Sequence, residues 1–159
     1  MPIDARHLGR RYGPYRFEVG LERIRDFVAA VGGGVPGRVF SAPPTDPHPF
    51  TWEEAAARAS RHRGLVAPPA FATAFAIQPF AVACSDPELG IDLVRLLHAE
   101  QEFEHGVPVR PGDELTTVGE IVEIRSRGSL EFLAVRTETV NGAGERVLVG
   151  RWTAVVRGP

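Results

Sequence analysis

The central part of the chain carries its longest apolar segment, residues 64–84, which opens Gly-Leu-Val-Ala-Pro-Pro and contains few polar side chains. We interpret this segment as a core helix that begins near Pro68 and Pro69, because proline is tolerated in the first helical turn. Thr73 and Gln78 are its obvious polar interruptions. A helix that is apolar all round must be covered on every side, so we expect a sheet to wrap it. The prolines and Gln78 favour a core helix over a membrane span.

The second half of the chain changes to the period of two that is typical of β-strands. Leu133 and Val135, for example, lie on the opposite face of the pleat from Arg136 and Glu138, as expected for a strand with one buried and one solvated face. Turn-forming residues at 127–129 and 141–144 separate consecutive segments, which favours antiparallel hairpins. The predicted strands span residues 93–104, 115–125, 131–140 and 146–156.

Upstream of the core helix, the pattern predicts a strand, two helices and a long loop. Residues 12–19 alternate between apolar and charged side chains, and residues 20–31 place apolar side chains at helical spacing. The glycine- and proline-rich residues 32–49 predict a surface loop. Thr51 and Glu54 match a capping box, which predicts that Thr51 caps a short helix.

Composition limits the class of protein. At 159 residues with 43% hydrophobic content, we expect one domain spanning residues 1–159, with no internal repeat. A net charge of −2 argues against a nucleic-acid binder, which usually carries a basic field. Cys84 is the single cysteine, so no internal disulfide can form, and no secretory leader is evident. These features predict a cytoplasmic protein without a membrane span.

Four stretches of the sequence resemble one known family. They are residues 20–32, residues 55–58 leading into 65–71, residues 97–103, and residues 110–113. Together they resemble the N-terminal dehydratase domain of the MaoC-like hotdog proteins over nearly the whole chain. That family includes (3R)-hydroxyacyl thioester dehydratases and the non-catalytic subunit of the mycolic-acid dehydratase heterodimer. The resemblance implies an α+β hotdog fold, in which an antiparallel β-sheet wraps a long central helix.

The catalytic motif of that family is altered in this chain. Catalytic members carry Asp-x-Asn-Pro-x-His before the short helix, whereas this chain has Asp46-Pro-His48-Pro-Phe-Thr51. The resemblance places Asp46 at the family's aspartate, His48 at its asparagine and Thr51 at its histidine. Hydration of an enoyl thioester needs a base for water and an acid at Cα, and threonine is neither near neutral pH. The isolated chain is therefore expected to have an incomplete site.

The remaining candidates have structural alternatives. Asp46 is also a typical turn residue, His48 a typical solvated loop histidine, and Thr51 a typical helix cap. Pro68 and Phe71 are candidates to contact substrate, because some hotdog proteins bind the acyl chain beside the central helix. His98 is a candidate to line the acyl pocket or a subunit interface, with a structural role equally open. Three other histidines, His7, His62 and His105, receive no functional assignment, and no spacing predicts a metal or a cofactor.

Three functional hypotheses follow from the resemblance. The leading one is a subunit of a (3R)-hydroxyacyl-CoA or -ACP dehydratase in fatty acid metabolism, which supplies the acyl-binding half while a partner hotdog supplies the Asp/His chemistry. The second is a non-catalytic homodimer that binds acyl thioesters. The third is an active hydratase that uses Asp46 and His48 in a rearranged site, or a thioesterase that uses an acidic residue. The sequence leaves three alternatives open: the length of the acyl chain, a CoA or a carrier-protein thioester, and a homodimer or a heterodimer.

Overall fold

A five-stranded antiparallel sheet forms the frame of the protein, with strand order β1-β3-β4-β5-β2. The computed structural model describes residues 3–31 and 49–158, so the candidates Asp46 and His48 lie outside the described residues. The strands are β1 (Arg11–Glu18), β2 (Leu96–His105), β3 (Glu114–Arg127), β4 (Leu130–Val140) and β5 (Arg146–Arg157). The helices are α1 (Leu21–Val31), α2 (Pro49–Trp52), α3 (Glu54–Ala59), α4 (Ala72–Ala76) and α5 (Gln78–Ser85).

The predicted strands are confirmed within a few residues. The β3–β4 turn contains Gly128 at φ 61°, and the β4–β5 turn contains Gly144 at φ 78°, a backbone region that favours glycine. The largest difference is at β2, which begins at Leu96 because Leu93–Arg95 form a 3₁₀ turn. The side chain of Asp92 caps that turn by accepting a hydrogen bond from the N–H of Val94 at 3.0 Å.

The core lies between the helices and one face of the sheet. Leu133, Val135 and Trp152 are fully buried on this face, beneath α4 and α5. The helix approaches the sheet closely at Gly119, where an added Cβ would lie 2.4 Å from the Cβ of Pro79. Glycine at this position therefore sets the distance between α5 and β3.

The central helix differs from its prediction in two respects. It is divided at Ile77, because Pro79 has no N–H to donate to the carbonyl of Phe75. Among the described residues, the sheet covers the helix on one side and leaves its other side exposed, so the sheet wraps the helix without covering every side as expected. The exposed residues of the outward face are Ala74, Gln78, Ala81, Val82 and Ser85.

The predicted capping box is also wrong. Thr51 lies inside α2 and is buried, so it does not cap the following helix. The N-cap of α3 is Glu53, which makes no side-chain capping hydrogen bond. The sequence match identified a helix start, but an additional helical turn before α3 moved the start of that helix away from Thr51.

None of the described helices is long and apolar enough to cross a membrane.

Candidate functional site

A cavity of about 560 Å³ lies where the start of the central helix meets the ends of β2 and β5. Its volume is within the range of about 300–1,000 Å³ that is common for small-molecule sites. The cavity walls come from several parts of the chain: Thr51, Arg61, His62, Val66, Ala67, Pro68, Pro69, Phe71, Ala72, Phe75, His105, Gly106, Val107, Pro108, Val109, Val147 and Leu148.

Backbone hydrogen bonds hold the loops that form this cavity. The N–H of Ala67 donates to the carbonyl of Val109 at 2.8 Å, which joins the entry of the central helix to the segment after β2. Gly106 donates to the carbonyl of Val147 at 2.8 Å. The guanidinium of Arg110 donates to the carbonyl of His62 at 2.7 Å, so it fixes the loop that follows α3.

Most of the cavity wall is apolar. Phe71 and Phe75 lie in contact on the helix, with ring centroids 6.2 Å apart. Phe27 of α1 packs edge to face against Phe71, with the two ring centroids 5.5 Å apart. A wall of packed aromatic and aliphatic side chains binds hydrocarbon by excluding water. The chemistry of this wall suits an acyl chain.

The polar side chains of the cavity that the structure describes do not include an acid/base pair of the Asp/His type. Thr51 is only 4% exposed and faces the cavity together with Arg61, His62 and His105. Among the described residues that line the cavity, none is an aspartate or glutamate. Threonine cannot remove a proton from water near neutral pH, so this part of the wall can bind and orient a thioester but lacks a carboxylate base.

His98 lies away from this cavity, on β2 near the edge of the sheet. Its ring packs between Phe80 and Trp152, with centroid distances of 5.3 and 5.7 Å. His98 therefore makes structural aromatic contacts within the chain, while it is still exposed at the sheet edge.

A second polar cluster, at the opposite end of α5, is structural. The hydroxyl of Tyr12 donates to Asp86 at 2.9 Å, and Arg10 pairs with the same carboxylate at 3.1 Å. Burial, followed by the hydrogen bond to Asp86, raises the pKa of Tyr12 above its ordinary value. Burial opposes ionisation of Asp86, but hydrogen bonds from Glu88 N–H and Tyr12, with the charge of Arg10, outweigh it and lower the pKa of that carboxyl.

Neither the Cys84 thiol nor a metal site contributes reactive groups among the described residues. Burial raises the pKa of the Cys84 thiol to about 12, so the thiol stays neutral and packs as a small apolar group. Within residues 3–31 and 49–158, no group of three or more histidine, cysteine, aspartate or glutamate side chains is arranged to hold a metal.

Comparison with known proteins agrees with this geometry. The family described as FAS1-like, dehydratase domain region, matches residues 6–149. A UPF0336 protein of Saccharopolyspora erythraea is 35% identical over 159 residues, which cover 99% of this chain and 94% of that protein. The chain belongs to the FAS1-like dehydratase-region family.

Solved structures identify the fold. A chain of the C-terminally truncated HadBC complex, a (3R)-hydroxyacyl-ACP dehydratase of Mycobacterium tuberculosis, superposes with a TM-score of 0.73 at 25% identity, covering 94% of this chain and 96% of that one. A MaoC-like dehydratase gives a TM-score of 0.72 at 28% identity, covering 96% of this chain but 42% of that one. The resemblance and the α+β hotdog fold are confirmed, and this is a MaoC-like dehydratase domain.

Within this MaoC-like domain, the structure brings together part of the predicted site. Pro68, Phe71 and Thr51 line the same cavity, whereas His98 does not. Two cavity residues, His62 and His105, received no assignment from sequence. They are far apart in the chain and follow no motif, so their convergence depends on the loop that Arg110 fixes and on the end of β2. The nearest sequence signal was the family-like stretch that ends at residue 103, just before His105.

Proposed function

We propose that this chain is the acyl-binding subunit of a (3R)-hydroxyacyl thioester dehydratase, acting on a CoA or carrier-protein thioester in the cytoplasm. In this proposal the apolar cavity holds the acyl group, and a partner hotdog subunit with an intact Asp/His motif supplies the acid and base. The described residues form part of a single hotdog domain that works as one half of the pair.

The observation that supports this proposal is a cavity that can bind an acyl chain but has no carboxylate among its described lining residues. The cavity is well formed, with Phe71 and Phe75 in its wall, but its described lining has no carboxylate. Thr51 is buried in the cavity at the position that the resemblance assigns to the catalytic histidine. An apolar binding wall whose described residues include no carboxylate is what we expect of a non-catalytic subunit.

Two of the similar structures support the proposal that this chain works with a second hotdog unit. The HadBC structure is a complex of two differently named components. This chain covers 42% of the MaoC-like dehydratase chain, so that chain is long enough to contain a second unit of similar size. Both are consistent with a site that requires two hotdog units.

The test alters the cavity wall. Ala67 is half-buried in the wall, and the substitution Ala67→Trp fills the cavity while leaving the backbone hydrogen bond to Val109 intact. In the assembled enzyme, with a hotdog subunit that has the intact motif, we expect Ala67→Trp to reduce kcat/KM for a long-chain enoyl-CoA by at least about tenfold, or about 1.4 kcal/mol. Crotonyl-CoA, with its short acyl group, should be affected less.

The matched control is Ala143→Trp, in the exposed β4–β5 turn. It adds the same side chain at a position that does not line the cavity and should leave kcat/KM unchanged for both substrates. Equal effects of the two variants, or an Ala67→Trp enzyme with full long-chain activity, would exclude this cavity as the acyl site.

A second candidate function is an enzyme active without a partner, because two histidines line the cavity. His62 and His105 both line the cavity, and imidazole side chains are common general acids and bases in enzymes. If the chain alone hydrates crotonyl-CoA and the variants His62→Ala and His105→Ala abolish that activity, this candidate replaces the first.

A further inference from the structure

Arg61 gives the cavity a positive charge. It lines the cavity together with His62 and His105, and no aspartate or glutamate is among the described lining residues. The chain as a whole has a net charge of −2, so the charge of this wall is opposite in sign to that of the molecule. An apolar cavity with a cationic group in its wall fits a ligand that joins a hydrocarbon chain to an anionic head group.

The guanidinium of Arg61 has donors that the described residues do not use. A guanidinium carries five N–H donors, and the Nε of Arg61 lies 3.4 Å from Nε2 of His62. Within the described part of the chain, Arg61 forms no ion pair, whereas Arg58, three residues earlier, pairs with Glu54. The planar terminal N–H groups of arginine match the two oxygens of a carboxylate, or two oxygens of a phosphate.

The loop that contains Arg61 is held in place within this chain. The N–H of His62 donates to Oγ of Ser60 at 3.0 Å, and the N–H of Gly64 donates to the carbonyl of Ala57 at 3.1 Å. Because these hydrogen bonds already order the backbone on both sides of Arg61, an anion that binds there does not have to order the loop. A preorganised donor lowers the entropic cost of binding.

The position of Arg61 in the cavity wall favours a carboxylate over a phosphate. In a CoA or carrier-protein thioester, the whole pantetheine arm separates the phosphate from the acyl chain, and the thioester group itself is uncharged. In a free fatty acid the carboxylate follows directly on the hydrocarbon chain. One such molecule can therefore contact Phe71 and Phe75 with its chain and Arg61 with its head group, since all three residues line the same cavity.

We propose that the cavity also binds free fatty acids, with the carboxylate on Arg61, and that these acids compete with the acyl group of the substrate. The competition rests on the proposed function, because it requires the substrate to occupy the same cavity. The binding itself depends only on the apolar wall and on Arg61. The consequence is inhibition of the assembled enzyme when free fatty acids accumulate.

The test measures binding of octanoate to the purified full-length chain by isothermal titration calorimetry at low ionic strength. Octanamide has the same chain without the charge and should bind about five- to tenfold more weakly, because it forms no charge-assisted hydrogen bonds with Arg61. Decanoate should bind about tenfold more tightly than octanoate, because two more methylene groups are buried. High salt should weaken octanoate binding but leave octanamide binding unchanged.

Three variants of exposed arginines separate charge from packing. Arg61→Gln should weaken octanoate binding about five- to tenfold and leave octanamide binding unchanged. Arg61→Lys keeps the charge and should retain more octanoate affinity than Arg61→Gln. The matched control is Arg157→Gln, at the end of β5, which removes the same charge outside the cavity lining and should change neither affinity. Circular dichroism checks that each variant is folded.

Three results would overturn the inference. The first is octanoate that binds no more tightly than octanamide, and the second is an Arg61→Gln variant with wild-type affinity for octanoate. The third is displacement of bound octanoate by phosphopantetheine, which has no acyl chain and would assign Arg61 to a phosphate.

Turnover beside a catalytic hotdog subunit tests the proposed function separately. In that assay octanoate should raise the KM for an enoyl-CoA and leave kcat unchanged. Arg61-dependent octanoate binding without any turnover would reject the proposed function and keep fatty acid binding. Turnover that is sensitive to Ala67→Trp but insensitive to octanoate would reject the competition and keep the proposed function.

Discussion

At the scale of single residues, Asp86 joins β1 to the end of the central helix. Its carboxylate accepts a hydrogen bond from Tyr12 and pairs with Arg10, and its pKa is lowered in the folded protein. Ionised Asp86 therefore stabilises the fold above the unfolded-state pKa of about 3.9, and this contribution is lost as the pH falls through the lower folded-state pKa.

We expect Asp86→Asn to lower the free energy of unfolding by about 1.5–3 kcal/mol at neutral pH, the magnitude of a hydrogen bond to a charged group. Urea denaturation followed from pH 7 to about pH 3 should show the difference from wild type shrinking below about pH 4. The control Glu120→Gln removes an exposed ion pair with Arg11 and should change stability by at most about 1 kcal/mol. A pH-independent difference for Asp86→Asn would show that its charge has no role.

Residue chemistry also explains which parts of the site could be predicted from sequence. Pro68 and Phe71 were predictable because the start of a buried helix is encoded locally. The match of Thr51 to a capping box predicts a helix cap, and this is wrong because Thr51 lies inside the preceding helical turn. His62 and His105 were not predictable, since their convergence depends on tertiary contacts and no spacing connects them.

At the scale of elements, the contact between α5 and β3 depends on a missing side chain. A Cβ on Gly119 would lie 2.4 Å from the Cβ of Pro79, closer than side-chain atoms can approach. We expect Gly119→Ala to cost about 1–3 kcal/mol through overpacking, measured as a lower urea midpoint with an unchanged slope.

Gly142→Ala is the matched control, because its nearest neighbour, the carbonyl oxygen of Glu114, is 4.0 Å from the added Cβ and its φ is not positive. It should be tolerated or slightly stabilising. Equal destabilisation by both variants would contradict the packing account.

The elements themselves were largely predictable where the signal is local. The β3–β4 and β4–β5 hairpins follow from alternation and from the turns at Gly128 and Gly144. The exposed side of the central helix was not predictable, because apolar composition does not distinguish cover within a chain from cover by another chain. The apolar pattern predicts a start of β2 at residue 93, three residues before the observed start, because Leu93 and Val94 of the 3₁₀ turn are residue types that are common in strands.

At the scale of the whole molecule, the fold leaves several apolar and unpaired features exposed. The β2 edge, the patch at Leu93, Val94 and Leu97, and the outward face of α5 are exposed in the single chain. The cavity, in contrast, has a mostly apolar wall and no carboxylate in its described lining. A chain with an apolar binding wall, no carboxylate among the described residues of that wall and an open sheet edge fits the proposal that it functions as one half of a two-chain enzyme.

The most direct test is to measure hydration of crotonyl-CoA by the purified chain, followed as loss of the enoyl thioester absorbance. The account predicts no turnover above the buffer rate for the chain alone and robust turnover when a hotdog subunit with the intact Asp-x-Asn-Pro-x-His motif is added. Robust turnover by the chain alone, abolished by Asp46→Asn or His48→Ala, would contradict it and place a complete catalytic site within this chain.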